Sequence, residues 1–260
     1  MTGLREALRL ELDDSDPVAT LTIDRQQKRN AMSFEMWSAL PGIAKEVASS
    51  SAKVLIVRGG EHFSAGADIS EFATLRAGQQ GARRYADAVH AGERALAELS
   101  KPTIAELRGF CVGGGCEIAL ACDIRIAAED ALFGVTPAKL GLVYNFTSTR
   151  QLVHAVGAAW AKQILFSGEL VDAATALRIG LVNELHPAEQ VPARAAELAR
   201  TIAGRARLSV RGAKNIVNRI SSGADVEDAD VEALYDEAHA SDDYREGVQA
   251  FLDKRPPRFA

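Results

Sequence analysis

Apolar and polar side chains alternate over residues 7–12 and again over 18–24, with Asp13-Asp14-Ser15-Asp16-Pro17 between them. Period-two alternation broken by turn formers predicts a β-hairpin. The period then lengthens. Ser33 is placed to N-cap a helix carrying Phe34, Met36, Trp37 and Leu40, and Pro41-Gly42 is expected to kink or restart it before Val47. The apolar run 53–58 predicts a buried strand, and Asp68 is placed to cap a helix over 69–75. Residues 78–81, with two glycines, predict a flexible break before a helix over 82–99. Lys101-Pro102 then leads into a strand at 103–107.

Residues 107–126, LRGFCVGGGCEIALACDIRI, are the stretch the chain is organised around. A strand ends at Arg108-Gly109, and Gly113, Gly114 and Gly115 lead into an apolar helix over 116–121. Beyond it the pattern predicts a strand at 123–128, a long loop over 133–144, and helices at 147–156 and 158–166. Asp172 caps a short helix ending at Gly180, and 181–185 read as a last strand. From 187 to 253 the apolar spacing is helical, with a break at Ser221-Ser222-Gly223. The pattern therefore predicts an α/β core over 1–185 and a helical region over 186–260 that packs between subunits.

Composition adds exclusions. The 260 residues carry 30 basic and 35 acidic side chains, a net charge of −5, which speaks against nucleic acid or an anionic membrane as the main partner. No apolar run reaches the length of a membrane span, and Arg5, Glu6 and Arg9 leave no apolar signal core at the start. Three cysteines without a CxxC pair are expected to be reduced thiols, with no metal site and a cytoplasmic location as the default.

The chemistry gathers at two glycine-rich loops, Ser64-Ala65-Gly66-Ala67-Asp68 and Gly113-Gly114-Gly115. Each follows a strand and opens a helix, where free main-chain amides meet the positive end of the helix dipole. If the two strands are neighbours, both loops lie at one end of the core and their amides can converge into an oxyanion hole. Glu117, in the first helical turn, is the only charged residue between Arg108 and Asp123. A carboxylate in such surroundings suits proton transfer, although a first-turn glutamate also serves as a simple cap. The missing Lys-Ser/Thr excludes a Walker A loop, the glycine spacing fails the dinucleotide fingerprint, and no nucleophile elbow is present. His62, in the first loop, reads as a surface residue.

The motifs Phe63-Ser64-Ala65-Gly66-Ala67-Asp68-Ile69 and Gly109-Phe110-Cys111-Val112-Gly113-Gly114-Gly115-Cys116-Glu117 resemble the two signatures of the crotonase superfamily, the enoyl-CoA hydratase/isomerase family. The resemblance implies a spiral of ββα units with a helical trimerisation region, assembled as a homotrimer or a dimer of trimers. It implies an acyl-CoA thioester substrate, with no cofactor besides the CoA of the substrate itself. By position, the amides of Ala67 and Gly114 would form the oxyanion hole, and Glu117 would transfer the proton. Contacts to CoA would fall around Arg25, Lys28, Ala65, Asp68 and Ile69, with Lys254 reaching the phosphates of its own or a neighbouring subunit's ligand.

One position departs from the hydratase pattern. The family's hydratases hold water between two glutamates, and Pro137 stands where the second should be. The segment Thr136-Pro137-Ala138-Lys139-Leu140-Gly141-Leu142-Val143-Tyr144-Asn145 resembles the family's methylmalonyl-CoA decarboxylase branch, in which Thr136 and Tyr144 would face the acyl group. That branch carries His where this chain has Ala67. The resemblance thus implies a hydro-lyase or isomerase first, with a malonyl-type decarboxylase or a non-catalytic acyl-CoA-binding relative as alternatives.

Overall fold

The elements follow in chain order. Strands β1 (Leu8–Glu11) and β2 (Val18–Ile23) precede helix α1 (Phe34–Ser49) and strand β3 (Val54–Arg58). A 3-10 turn (Ile69–Glu71) leads into α2 (Phe72–Leu75) and α3 (Gly78–Ala97). Next come β4 (Thr103–Leu107), β5 (Phe110–Val112), α4 (Gly114–Ala121), β6 (Ile124–Ala128) and β7 (Leu132–Gly134). After α5 (Phe146–Ser167) stand β8 (Val171–Asp172), α6 (Ala173–Arg178) and β9 (Glu184–His186). Helices α7 (Val191–Ala203), α8 (Arg207–Ser221), α9 (Ala229–Ala240) and α10 (Asp242–Leu252) complete the chain. This is a computed structural model, and it describes residues 7–259.

The hairpin forms as the alternation predicts, with Leu8 opposite Ile23 and Glu11 opposite Thr20. From β2 onward the main sheet is parallel, in the order β1-β2-β3-β4-β6-β9, and a second sheet pairs β5, β7 and β8. Every residue of β4 is buried, as expected of a parallel strand covered on both faces. Strands β3 and β4 are direct parallel neighbours, Leu55 beside Thr103 and Arg58 beside Glu106, so the chain leaves both at the same end of the sheet.

Two expected breaks do not occur. Helix α1 runs through Pro41, because its buried stripe of Trp37, Leu40, Ala44 and Val47 stays in phase on both sides of the proline. Burial of that stripe against α3 outweighs the hydrogen bond Pro41 cannot donate. Residues 78–81 are helical rather than flexible. Gly81 lets the preceding turn pack tightly, since a Cβ there would stand 2.7 Å from the Leu75 carbonyl oxygen. The expected helix pair at 147–166 is confirmed as α5, its two halves meeting at Gly157 (φ 75°). Strand β5 and the short β7 form within segments the pattern reads as loop; three residues are too few for alternation to register.

The C-terminal helices divide into two groups. Helix α7 packs on β2, β3, β4 and β6, and its Val191, Ala195 and Ala199 are fully buried in the core. Helices α8 to α10 bury far less, and Val217, Ile220, Tyr235, Val248, Phe251 and Leu252 stand exposed on them. One polar joint ties α8 to the sheet. Lys214, with a side chain only 9% exposed, donates to Asp123 Oδ2 at 2.8 Å and to the Lys101 carbonyl at 3.0 Å. The same carboxylate oxygen accepts the Thr103 amide at 2.8 Å and its hydroxyl at 3.0 Å, so it joins β4 to α8. Replacing Lys214 with Met should leave Asp123 with a largely buried, uncompensated charge. Urea unfolding should show a loss of about 1–3 kcal/mol; an unchanged midpoint would mean that the joint is solvated.

Candidate active site

The first glycine-rich loop is fastened on both sides. On one side Ser64 donates its amide to the Phe110 carbonyl and accepts the Val112 amide, both at 2.9 Å, which lays the loop alongside β5. On the other, the Met32 amide donates to Gly66 O at 2.7 Å and the Asp68 amide to Met32 O at 2.8 Å. Successive amides in an extended segment point in opposite directions, so the Ala67 N–H is turned away from Met32.

It is turned toward α4. The Gly114 amide opens that helix and has no intrahelical partner. A Cβ built on Gly114 would lie 3.4 Å from the Ala67 nitrogen, 3.5 Å from Glu117 Oε2 and 2.8 Å from Trp37 Cζ2. Two main-chain amides and a carboxylate oxygen therefore surround one small space, which the missing side chain of Gly114 keeps open. Gly66 (φ 102°) makes the approach possible, because a side chain there would meet Val112 O at 2.9 Å.

That space belongs to a cavity of about 220 Å³. Of the residues expected at the site, Ala65, Ala67, Ile69, Gly114, Glu117, Thr136 and Tyr144 line it. Pro137 lines it too, at the position that departs from the hydratase pattern. Arg25 and Asp68 are not on the lining and hold each other instead at 2.8 Å, with Arg25 also bound to the Ala31 carbonyl at 2.9 Å. Partial burial works against the Asp68 charge, yet the Ser70 hydroxyl and Arg25 hold its carboxyl below the usual range. Lys28 and Lys254 are exposed and stand off the lining. His62 packs its ring 4.8 Å from that of Phe110, outside the cavity.

Glu117 is the only carboxylate among the described lining residues. Burial pushes its pKa up to about 7; the nearby Tyr144 hydroxyl, Ser148 and Arg76 oppose the shift. The Tyr144 hydroxyl is buried beside it without a well-formed hydrogen bond. Asn145 caps α5 by accepting the Ser148 amide at 2.8 Å. Its side-chain nitrogen donates to Ser148 Oγ at 2.6 Å and, more weakly, to Glu117 Oε1 at 3.4 Å.

Beyond Ser148 stands a residue the sequence reading missed. The Ser148 hydroxyl donates to Glu93 Oε1, and Glu93 is fully buried on α3. Burial first, and then the charge of Glu117, raise the Glu93 pKa to about 8, with Ser148 opposing. The signal was present. Glu93 falls on the same face of α3 as buried Tyr85, Val89 and Leu96, where a carboxylate is out of place unless it has work to do. Arg76, Tyr85 and His90 also line the cavity and had no comparable signal.

A sequence profile described as Enoyl-CoA hydratase/isomerase matches residues 13–260. A short-chain-enoyl-CoA hydratase of Clostridium acetobutylicum is 34% identical over 248 residues, 94% of each chain. A crotonyl-CoA hydratase of Syntrophomonas wolfei is 33% identical over 253 residues, 95% of this chain and 96% of that one. The crystal structure of an enoyl-CoA hydratase/carnithine racemase from Magnetospirillum magneticum superposes with a TM-score of 0.92 at 33% identity, covering 98% of this chain and 95% of that one. The chain belongs to the enoyl-CoA hydratase/isomerase family. It is an enzyme of the hydratase/isomerase type, with the crotonase fold and an acyl-CoA thioester substrate.

The buried acid pair gives a pH-dependent stability. Glu93 has a folded pKa raised from 4.5 to about 8, so its neutral form is the one the fold favours. The stability this contributes is complete below about pH 4.5 and is lost as pH rises toward about 8. Glu93→Gln stays neutral throughout. Urea unfolding across that range should show the variant gaining on the wild type as pH rises, and a pH-independent difference would remove Glu93 from this account.

Proposed function

We propose that this enzyme adds water to, or shifts the double bond of, a short-chain enoyl-CoA, with Glu117 as its one proton-transfer group. The observation that carries the reading is the convergence of the Ala67 and Gly114 amides with Glu117 on one small cavity. The thioester carbonyl would accept both amides, which stabilise the negative charge that develops on oxygen as the thioester becomes an enolate. Fixed main-chain dipoles need no reorganisation as that charge appears.

Both reactions ask one group to gain and lose a proton within a cycle. In hydration, the Glu117 carboxylate takes a proton from the water attacking the β-carbon and returns one to the α-carbon. In isomerisation it removes a proton from one carbon and delivers it to another. A pKa of about 7 keeps both of its forms populated near neutrality, the condition under which a single group serves as base and then as acid. Pro137 on the cavity wall offers no second carboxylate, which favours the one-acid shuttle and slow hydration.

Thr136 and Tyr144 also line the cavity, which supports a role in positioning the acyl group. Decarboxylation of a malonyl-type thioester draws on those same two residues but needs no base to start. The backbone around Ala65 and Ile69 is the best-supported seat for the CoA portion near the thioester. Lys28 and Lys254 remain candidates for its phosphates from the surface. The number of large apolar residues left exposed on α8 to α10 supports association into a homotrimer or a dimer of trimers. Three free, buried cysteines fit a reducing, cytoplasmic setting.

Glu117→Gln keeps the shape of the side chain and removes its proton exchange. Turnover of crotonyl-CoA or a 3-enoyl-CoA should fall roughly 10²-fold or more. Retained turnover with lowered thermal stability would make Glu117 a helix cap and defeat the reading. Loss of crotonyl-CoA turnover alongside intact decarboxylation of methylmalonyl-CoA would move the assignment to the decarboxylase. For the assembly, sedimentation equilibrium should return three or six times the 27.8 kDa chain mass; a monomer across the micromolar range would rule the trimer out.

A further inference from the structure

One wall of the cavity is built in a way that a hydrocarbon acyl group does not explain. Arg76 follows α2 directly, and its guanidinium carbon lies 4.2 Å from the ring centre of Phe72 and 4.7 Å from that of Tyr85. The two rings meet edge to face, 5.6 Å apart. They form a corner that holds the guanidinium against two aromatic rings. Among the described residues, the Arg76 guanidinium has no ion pair and no hydrogen bond, and only the main-chain amide of this residue is engaged, by the Phe72 carbonyl at 3.1 Å.

It is not alone. Arg76 Nε, the Tyr85 hydroxyl and His90 Nε2 are all buried, all without a hydrogen-bond partner, and all carried by residues that line the cavity. Trp37 Nε1 is a fourth such group on the lining, while the Tyr144 hydroxyl stands beside Glu117. Buried polar atoms are almost always paired, and a cluster of exceptions calls for a partner that fills the space. The guanidinium can only donate, and the tyrosine hydroxyl and one histidine tautomer can donate alongside it, so a single acceptor can serve all three. Glu117 is the one carboxylate among the described lining residues; it feels the charge of Arg76 but makes no hydrogen bond or ion pair with it, and takes a weak bond from Asn145 at 3.4 Å.

We propose that the acyl group received here ends in a carboxylate, gripped by Arg76 with Tyr85 and His90 as further donors, so that the preferred substrates are CoA thioesters of short dicarboxylic acids. The inference rests on the reading that this cavity takes the acyl part of an acyl-CoA. A fixed guanidinium fork is the group best matched to a carboxylate, because two parallel N–H bonds meet its two oxygens. A carboxylate held in this way is stabilised as an anion and kept through the reaction, rather than lost as CO2. The arrangement thus separates these substrates from malonyl-type ones, whose carboxylate must leave.

The test is a binding comparison that does not depend on turnover. Glutaryl-CoA and pentanoyl-CoA both carry five acyl carbons, and neither has a double bond to hydrate or shift. By calorimetry, the wild type should bind glutaryl-CoA about 10- to 100-fold more tightly, the range expected of a charge-assisted hydrogen-bonded contact. Arg76→Met should bring that ratio to one or below, and Arg76→Lys, which keeps the charge without the fork, should retain part of it. Equal binding of the two thioesters by the wild type would overturn the proposal, as would a preference that survives in Arg76→Met. If Arg76→Met instead weakens free CoA and both thioesters alike, Arg76 contacts a phosphate of CoA and the proposal falls. It falls equally if 5-hydroxypentanoyl-CoA binds as tightly as glutaryl-CoA, because the site then selects polarity and not charge. Pentanoyl-CoA binding without a glutaryl preference sinks this inference alone, whereas Glu117→Gln with undiminished turnover sinks the proton-transfer reading alone.

Discussion

The shape of the candidate site depends on how closely two stretches of main chain approach each other. Gly66 and the segment from Val112 to Gly114 are so near that one methyl group on Gly66 would press on Val112 O at 2.9 Å and on the Gly114 nitrogen at 3.3 Å. Only hydrogen bonds from outside the pair can hold backbone at that distance. Here the Ser64–Cys111 bridge supplies them on one side and the Met32–Ala67 bridge on the other. The Ser64 hydroxyl adds a bond to the Asn30 carbonyl at 2.7 Å, which ties in the loop before α1. The site is therefore a product of the sheet. Parallel β3 and β4 bring both loops to one end, and the bridges fix the last few ångströms.

Around that fixed backbone the electrostatics are unusually dry. Glu117 and Glu93 sit on adjoining helices α4 and α3, joined through Asn145 and Ser148 at the start of α5. Two carboxyl groups so placed do not both ionise readily, since each charge raises the cost of the other in a medium that screens poorly. The amide of Asn145 stands between them, so the link positions the two acids rather than passing protons along a wire. Ser148 orients Glu93 and is itself oriented by Asn145, and a helix cap thereby also aligns the acid pair.

The fold was legible in the sequence where patterns are long. The hairpin, the buried strands, the helix beginning near 147 and the cap residues Ser33, Asp68 and Asp172 follow from period and turn chemistry. Pro41 and Gly81 were misleading, because local propensity was overruled by a stripe that stays buried through the proline and by a turn that needs the glycine's missing side chain. Strand β5 escaped notice for lack of length. At the site, the two glycine loops and Glu117 announced themselves by composition. Glu93 left a trace only as a carboxylate on an apolar helix face. Arg76 and His90 left none, since each is an ordinary polar residue until α2 and α3 fold back and aim it inward. Arg25 and Asp68 show the reverse: residues beside a signature whose charges are spent on each other.

One feature of the proposed oxyanion hole reaches past this single chain. The two donors proposed for it are peptide N–H groups, and every amino acid except proline carries the same one. The side chain at position 67 is therefore free to change without removing a donor, provided Gly66 and Gly114 keep the loops together. The surrounding positions 76, 90, 137 and 144 can be exchanged in the same spirit. A scaffold of this kind separates what must be inherited unchanged from what is open to revision. Lining side chains can then be altered while the close backbone approach at Gly66 and Gly114 is kept.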